Sequence, residues 1–253
     1  MPLSERNAGR DALIAWTAVA VAVAVLVQIK VKLPGIGHLG SALVAVVFIY
    51  TPVAAAWLRR EDLDDYGFHP EPVRRGLVTA GVAIACVFPL FVLGYFAFYE
   101  IACNSELLSN LVPRGMCARY GGLSALHAPG WTWLAPPPPG TTMSGELLAV
   151  QLVVVALPEE LFFRGFLLGL LERRFPPKRR FLGGGIGLAL VLSSVGFAMI
   201  HLPKDGDPRA LATFFPGLLF GWMRSSTGSI LASTVTHASS NVLVRFLELA
   251  VMR

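Results

Sequence analysis

Charged residues are scarce in this chain. Only 15% of its 253 residues are Asp, Glu, Lys or Arg, whereas a soluble domain usually carries about a quarter. Hydrophobic residues make up 55% of the sequence, and the mean hydropathy is +0.63. This composition excludes a water-soluble globular enzyme, a nucleic-acid-binding domain and a disordered chain. It predicts an integral membrane protein whose surroundings are the lipid bilayer, with no nucleic-acid partner.

Several catalytic and binding motifs are also missing. The three cysteines are too few for a disulfide framework and lack the CxxC spacing of many zinc sites. The sequence contains no HExxH zinc motif, no GxSxG nucleophile and no glycine-rich phosphate loop after a strand. These absences argue against the common zinc proteases, serine hydrolases and nucleotide-dependent enzymes.

Seven stretches are apolar over about the length that a membrane-spanning helix needs, which is roughly 20 residues. The predicted spans are residues 12–29, 36–58, 77–99, 146–171, 184–202, 210–224 and 229–250. The predicted fold is therefore an all-α, polytopic membrane helix bundle with about seven spans.

Lys and Arg are unevenly distributed between the predicted loops. A cytoplasmic N-terminus puts 12 of them on the cytoplasmic side and 7 outside, mainly because of residues 173–180. The long loop at about residues 100–145 is then external, where we predict a disulfide between Cys103 and Cys117. Cys86 is predicted to be a buried thiol. The Ala-, Val- and Arg-rich composition indicates a bacterial protein, and hence the inner membrane.

Ionisable side chains interrupt the fourth predicted span. Glu159, Glu160 and Arg164 lie in an otherwise apolar stretch, where a charge near the bilayer centre costs roughly 2.5–3.5 kcal/mol. Glu160 and Arg164 are spaced i,i+4 and can pair on one helix face, whereas Glu159 points about 100° away. A purely structural ion pair is one interpretation. Two adjacent carboxylates for one arginine favour a functional site, and Pro158 before them is expected to kink the helix.

Two later spans carry histidines with a polar or aromatic neighbour one turn away. Phe197 and His201 end the fifth span, and His237 and Asn241 lie in the seventh. Each has a structural alternative, such as a satisfied helix-end histidine or an asparagine that joins helices by hydrogen bonds. Together with the glutamates they form the inventory of a hydrolytic site, because a carboxylate can take a proton from water and donors can stabilise an oxyanion.

The motifs Glu159-Glu160-x-x-x-Arg164, Phe197-x-x-x-His201 and His237-x-x-x-Asn241, in this order, resemble the signature of the CPBP intramembrane proteases. That family includes the CAAX prenyl endopeptidases and the bacterial Abi-type bacteriocin-processing or immunity proteins. The resemblance covers about residues 144–250. It implies two parts, with N-terminal spans and a long external loop at residues 1–143 and a four-helix catalytic core at residues 144–253.

The resemblance also implies roles for the polar residues. Glu159 would be the general base on an attacking water that His201 holds, and His237 and Asn241 would form the oxyanion hole. The supporting residues would be Glu160, Arg164 and Phe197. The implied activity is a glutamate-dependent endopeptidase without cofactor or metal. Its substrate would be a membrane-associated protein or peptide, cut near a membrane-anchored or lipid-modified end.

Three alternatives stay open at this point. Two histidines and two glutamates could instead bind zinc, although no two-histidine helical clamp is present. The chain could be a non-catalytic immunity or sequestering protein of the same family. Intramembrane glutamate and histidine also mark ion paths in transporters, although the paired halves of an inverted-repeat transporter are not visible in the sequence.

The predicted spans raise a question of depth. They place His201 near the outer end of its helix, His237 near the inner end of another, and Glu159 near the middle of the membrane. These side chains can meet only if helices are tilted, broken or bounded differently.

Overall fold

The computed structural model describes residues 3–33, 37–112, 116–127, 129–132 and 142–251. Seven long helices account for most of this part of the chain. They are α1 (Leu3–Leu26), α2 (Leu39–Arg59), α3 (Val73–Cys103), α4 (residues 145–174), α5 (Leu188–Asp205), α6 (Phe214–Thr227) and α7 (Leu231–Val251). Each overlaps one predicted span, and the prediction of an all-α membrane bundle is confirmed.

Three helices of the described ranges are long and apolar enough to cross a membrane. They are Asn7–Leu26, Leu39–Arg59 and Val73–Cys103. Leu188–Lys204 is a shorter apolar helix.

Short elements join the helices. Three two-stranded sheets pair β1 (Lys32–Leu33) with β2 (Gly37–His38), β3 (Gly130–Thr132) with β4 (Thr142–Ser144), and β5 (Arg179–Phe181) with β6 (Gly184–Ile186). The first and third pairs are antiparallel and the second is parallel. The 3-10 turns are Leu63–Tyr66, Leu108–Leu111, Leu123–Ala125 and Pro208–Thr213, and Met116–Arg119 is a short α-helix. Residues 133–141 of the long predicted loop lie outside the described residues.

Contacts divide the chain into two compact units. The first unit comprises Met1–Ala80 and Leu152–His237, and the second comprises Gly81–Gln151 and Ala238–Arg253. This division follows contacts, whereas the predicted boundary between residues 143 and 144 follows the family resemblance. That boundary stays a prediction.

An aromatic cluster forms part of the core of the first unit. The ring of Phe48 on α2 lies 5.6 Å from that of Phe162 and 5.5 Å from that of Phe163, both on α4. All three rings are buried. Large buried rings contribute most of the apolar area that holds such elements together, so α4 is held firmly against α2.

The loop between α2 and α3 is also tied to α4. Tyr66 is buried against Phe166, and a Cβ on Gly165 would lie only 2.8 Å from the Tyr66 carbonyl oxygen. The Tyr66 hydroxyl donates to Glu61, which also pairs with Arg173 at 2.5 Å. Burial and the bond to Glu61 raise the pKa of Tyr66 to about 12. Only glycine at position 165 allows the loop to approach α4 this closely.

The second unit contains the predicted disulfide. Cys103, the last residue of α3, is bonded to Cys117, which confirms the pairing. Nearby, the rings of Tyr99 and Tyr120 stack with centroids 5.3 Å apart, and the Tyr120 hydroxyl donates to Glu100 at 2.9 Å. The segment after α3 is therefore held both covalently and by packing.

Cys86 differs from the prediction of a buried thiol. It lies in the middle of α3 and is exposed at the protein surface. The apolar part of α3 is only 17% buried, so most of its side chains face outward. Hydropathy could not distinguish a side chain that faces lipid from one that faces the protein interior.

We expect the denatured, unreduced protein to show a single reactive thiol, that of Cys86. Reduction should raise the count to the three cysteines of the sequence. Cross-linking a loop of this size stabilises a protein by about 3 kcal/mol in the chain-entropy model, so Cys103→Ser should lower the unfolding free energy by about that amount. Thiol titration before and after reduction provides the measurement, and three thiols before reduction would contradict the disulfide.

Candidate active site

Helix α4 is not a regular α-helix where it carries the glutamates. Two π-helical segments, Val150–Ala156 and Leu161–Leu167, flank one α-helical turn, Leu157–Glu160. Pro158 has no N–H to donate to the preceding turn, and the hydrogen-bond pattern changes there. The predicted influence of Pro158 therefore appears as a change of helix type, and such changes are frequent at functional sites.

Glu159 faces two histidines and a lysine. Its Oε2 atom lies 3.9 Å from Nε2 of His201 and 3.9 Å from Nε2 of His237. Its Oε1 atom is 2.5 Å from Nζ of Lys204. Glu159 is 3% exposed, and the two histidines are 7% and 5% exposed. Side chains from α4, α5 and α7 thus meet in the interior of the first unit.

Helix α5 extends beyond the C-terminal end of the predicted fifth span. The predicted fifth span ended at residue 202, which put His201 at the end of its helix. Helix α5 instead continues through Pro203 to Asp205, so His201 lies one turn inside it. Hydropathy ended the span early because Lys204 and Asp205 are polar.

The other ring nitrogen of each histidine is already engaged. His201 Nδ1 lies 2.8 Å from the carbonyl oxygen of Phe197, and His237 Nδ1 lies 2.9 Å from Oε1 of Glu160. Both partners are acceptors, so Nδ1 of each ring carries a proton and Nε2 of each neutral ring has a lone pair. Oε2 of Glu159 is buried and has no hydrogen-bond partner among the described residues. Oε2 of Glu159 is therefore an acceptor 3.9 Å from one acceptor nitrogen of each histidine.

Arg164 neutralises Glu160 in a buried aromatic setting. Its Nη1 atom is 3.0 Å from Glu160 Oε1, and its side chain is 1% exposed. The guanidinium carbon lies 3.9 Å from the ring centre of Phe197 and 5.2 Å from that of Phe220, distances at which cations are attracted to ring faces. Phe220 also stacks on the imidazole of His237, with centroids 5.1 Å apart. The i,i+4 pairing of Glu160 with Arg164 is as predicted.

Six of the seven predicted site residues form a closed ring of contacts in the first unit. In order around this contact ring they are Glu159, His201, Phe197, Arg164, Glu160 and His237. The seventh, Asn241, belongs to the second unit, where its side-chain nitrogen donates to Oε1 of Gln151 at 2.9 Å.

Residues 144–243 match the family model of the type II CAAX prenyl endopeptidase Rce1-like proteins. The match includes every member of the contact ring and Asn241. This part of the chain is similar to the CAAX prenyl endopeptidase family. The resemblance drawn from the three motifs is thereby confirmed. No curated protein matches the chain, and no solved structure does.

The family match over residues 144–243 supports a protease, and the apolar helices support an integral membrane protein. A protease of the CAAX prenyl endopeptidase family acts on a membrane-associated substrate within the bilayer. The contact ring lies inside the matched residues, so the buried polar groups and the family evidence concern the same part of the chain.

Two residues that touch the contact ring, Lys204 and Phe220, were not predicted from the sequence. Lys204 was assigned to a loop, although its i,i+3 spacing from His201 could have placed it on the same helix face. Phe220 gave no signal, because one phenylalanine in an apolar helix resembles ordinary core. Its contacts with Arg164 and His237 depend on how α6 packs.

The geometry also bears on whether the site could bind a metal. In the described part of the chain, no group of three or more His, Cys, Asp or Glu side chains is arranged to hold a metal ion. The Nε2 atoms of His201 and His237 and Oε2 of Glu159 are acceptors of a kind that zinc binds. However, the 3.9 Å separations exceed the roughly 3.4 Å between ligand atoms of a tetrahedral zinc site. The metal-free mechanism stays a prediction.

Proposed function

We propose that this membrane protease hydrolyses a peptide bond near a membrane-anchored or lipid-modified end of its substrate, with Glu159 as general base on an attacking water. One observation supports this above the others: Oε2 of Glu159 lies 3.9 Å from Nε2 of both His201 and His237. A water between these acceptor atoms can donate its O–H groups to two of them.

The separation suits a water as the reacting group. A water oxygen about 2.8 Å from Glu159 Oε2 and from Nε2 of His201 fits between atoms 3.9 Å apart. Glu159 would take one proton as the water oxygen bonds to the scissile carbonyl carbon, while His201 accepts a hydrogen bond from the other. The same proton then passes from Glu159 to the leaving amine nitrogen as the C–N bond breaks, which restores the carboxylate.

Lys204 would orient the base. Its ammonium group holds Oε1 of Glu159 at 2.5 Å, which leaves Oε2 directed at the histidines. The ion pair also fixes the carboxylate in one rotamer, so the base needs no reorganisation during the reaction. Lys204 acts on the water through Glu159 and is a positioning residue in this proposal.

His237 would stabilise the oxyanion only when its imidazole ring is protonated. In the neutral ring Nδ1 donates to Glu160, so Nε2 can only accept. When the ring is protonated both nitrogens donate, and Nε2 can then stabilise negative charge on the substrate oxygen. The ion-paired Glu160 and Arg164 hold the ring in this orientation. The assignment of Asn241 to the oxyanion hole stays a prediction.

A comparison of protein termini tests the proposed function. Membranes that contain the wild-type chain should show new C- or N-termini close to a membrane anchor or a lipid-modified cysteine, and membranes with His201→Ala should not. His38→Ala, which changes an exposed histidine far along the chain, is the matched control and should behave as the wild type.

A second assay uses purified protein in nanodiscs and a farnesylated peptide that ends in a CAAX sequence. Full cleavage by His201→Ala would remove the catalytic assignment. A wild-type chain that retains a bound partner but generates no new termini would instead indicate a sequestering protein, an alternative that the family match does not favour.

We expect cleavage to survive exhaustive chelation. If Glu159 activates water without a metal, the purified protease should carry no stoichiometric zinc and should lose less than about half its rate in the presence of a strong chelator. Elemental analysis and the peptide assay provide the measurements. Loss of activity with chelator and recovery with added zinc would show that the acceptor atoms bind a metal after all.

We further propose that the chain lies in a bacterial inner membrane with its N-terminus in the cytoplasm. The uneven distribution of Lys and Arg supports this orientation. The Cys103–Cys117 disulfide also supports it, because disulfides persist in oxidising compartments and the proposed orientation places these cysteines outside.

A further inference from the structure

The connection between α4 and α5 begins with a strongly basic segment. Residues 173–180 contain five cations and no acidic residue. Arg173 is paired with Glu61 at 2.5 Å. The remaining four are exposed and form no ion pair with the described residues. They are Arg174, Lys178, Arg179 and Arg180. Four like charges this close repel each other, and Glu172 compensates part of this charge through its interaction with Arg180.

The same connection ends in an apolar tip. Strands β5 and β6 form a hairpin whose turn exposes Phe181 and Leu182, by 60% and 74%. Leu182 has a φ of 47°, a conformation that glycine or asparagine adopts at lower cost. The exposed side chain of Leu182 is available to contact an apolar environment outside the chain.

Two hydrogen bonds hold the hairpin on α6. The Trp222 indole N–H donates to the carbonyl oxygen of Phe181 at 2.8 Å. The backbone N–H of Gly185 donates to the hydroxyl of Ser225 at 2.9 Å. These two bonds fix the backbone on both sides of the turn and leave the tip side chains exposed.

A cavity adjoins the basic residues. It has a volume of about 530 Å³, and its lining includes Arg174, Phe175, Pro177, Lys178 and Leu188. Two cations and several apolar side chains thus surround one concave space. This mixture suits a ligand with a phosphate at one end and hydrocarbon at the other.

We propose that this basic hairpin segment, residues 174–182, binds anionic phospholipid of the membrane that holds the protein. The four unpaired cations bind lipid phosphates, and Phe181 and Leu182 insert at the boundary between headgroups and acyl chains. The segment joins two helices of a membrane bundle, so it lies at the membrane surface where both chemistries meet. This inference does not depend on the proposed proteolytic mechanism.

Thermal stability in nanodiscs tests the charge requirement. Discs of phosphatidylcholine alone are compared with discs that contain 30% phosphatidylglycerol. The wild-type Tm should rise by about 8 °C in the anionic discs, given the attraction of each basic residue to such a surface. The test variant changes all four unpaired cations to glutamine, as Arg174→Gln, Lys178→Gln, Arg179→Gln and Arg180→Gln, and should show no rise.

A matched control removes the same charge elsewhere. It carries Lys30→Gln, Lys32→Gln, Arg60→Gln and Arg119→Gln, all at exposed positions, and should keep the wild-type rise. An equal rise in the test variant would overturn the proposal. Inorganic phosphate at 10 mM in phosphatidylcholine discs should not reproduce the rise. If it does, the ligand is a soluble anion and the membrane assignment is wrong.

A depth measurement keeps the four cations intact and tests the tip. The double variant Cys86→Ser, Leu182→Cys has one reactive thiol, because Cys103 and Cys117 are bonded to each other. A nitroxide on position 182 should be accessible to oxygen and shielded from a water-soluble nickel complex in the anionic discs. Equal access of the nickel complex in both kinds of disc would show that the tip remains in water and would overturn the insertion.

Discussion

Replacement of Glu159 by glutamine should slow peptide cleavage by about a thousandfold. Glutamine has the same shape as glutamate but cannot accept the proton of the attacking water, and general base catalysis contributes roughly 10²–10⁴ to a rate. The loss should appear in kcat, because the proton moves in the chemical step and not when the substrate binds. The measurement is single-turnover cleavage of the farnesylated peptide in nanodiscs.

The control for this prediction lies on the same helix. Glu146 is an exposed carboxylate in the first turn of α4, and Glu146→Gln should cleave at the wild-type rate. Glu160→Gln should lose less activity than Glu159→Gln, because its side-chain oxygen can still accept from His237. If Glu159→Gln keeps a tenth or more of the rate, the general base must be another residue.

Replacement of Arg164 by methionine should unfold the site. The guanidinium group is buried between aromatic rings and neutralises Glu160. Removing it leaves a carboxylate buried without its cation, which costs about 3–5 kcal/mol. For a chain of this size, we expect the Tm to fall by roughly 10 °C, and activity should be lost as well. Thermal unfolding in nanodiscs measures the first effect.

A double variant separates stability from activity. In Glu160→Met, Arg164→Met, both charges are replaced by side chains of similar volume, and such replacements of buried ion pairs are often neutral for stability. The double variant should therefore recover most of the Tm that Arg164→Met loses. It should remain inactive, because Nδ1 of His237 no longer has an acceptor. A double variant as unstable as Arg164→Met would show that the aromatic contacts of the arginine matter more than the charge.

The sequence was sufficient to predict the helices and most of the site. The approximate positions of the helices follow from long apolar runs, and the pairing of Glu160 with Arg164 follows from i,i+4 spacing. Phe197 and His201 were likewise found on one face by spacing alone. Each of these features depends on local periodicity, which a single sequence carries.

Other features depend on contacts between distant parts of the chain and could not be predicted. A proline at position 158 predicts an irregular helix, but it does not predict that the flanking residues are π-helical. Lys204 faces Glu159 because α5 extends past the hydropathy limit. Asn241 was expected at the oxyanion, and its bond to Gln151 involves a residue 90 positions away. Spacing indicates which residues share a helix face. It does not indicate which faces of two helices pack against each other.

The acceptor atoms of Glu159, His201 and His237 also determine which compounds can bind in the site. There is no serine or cysteine in the contact ring, so electrophilic reagents that label such nucleophiles have no target there. A small cation with several N–H groups, such as an amidinium, offers donors to Oε2 of Glu159 and to both imidazole rings at once. Inhibitor searches for this protease should therefore begin with donor-rich cations, before metal chelators or covalent warheads.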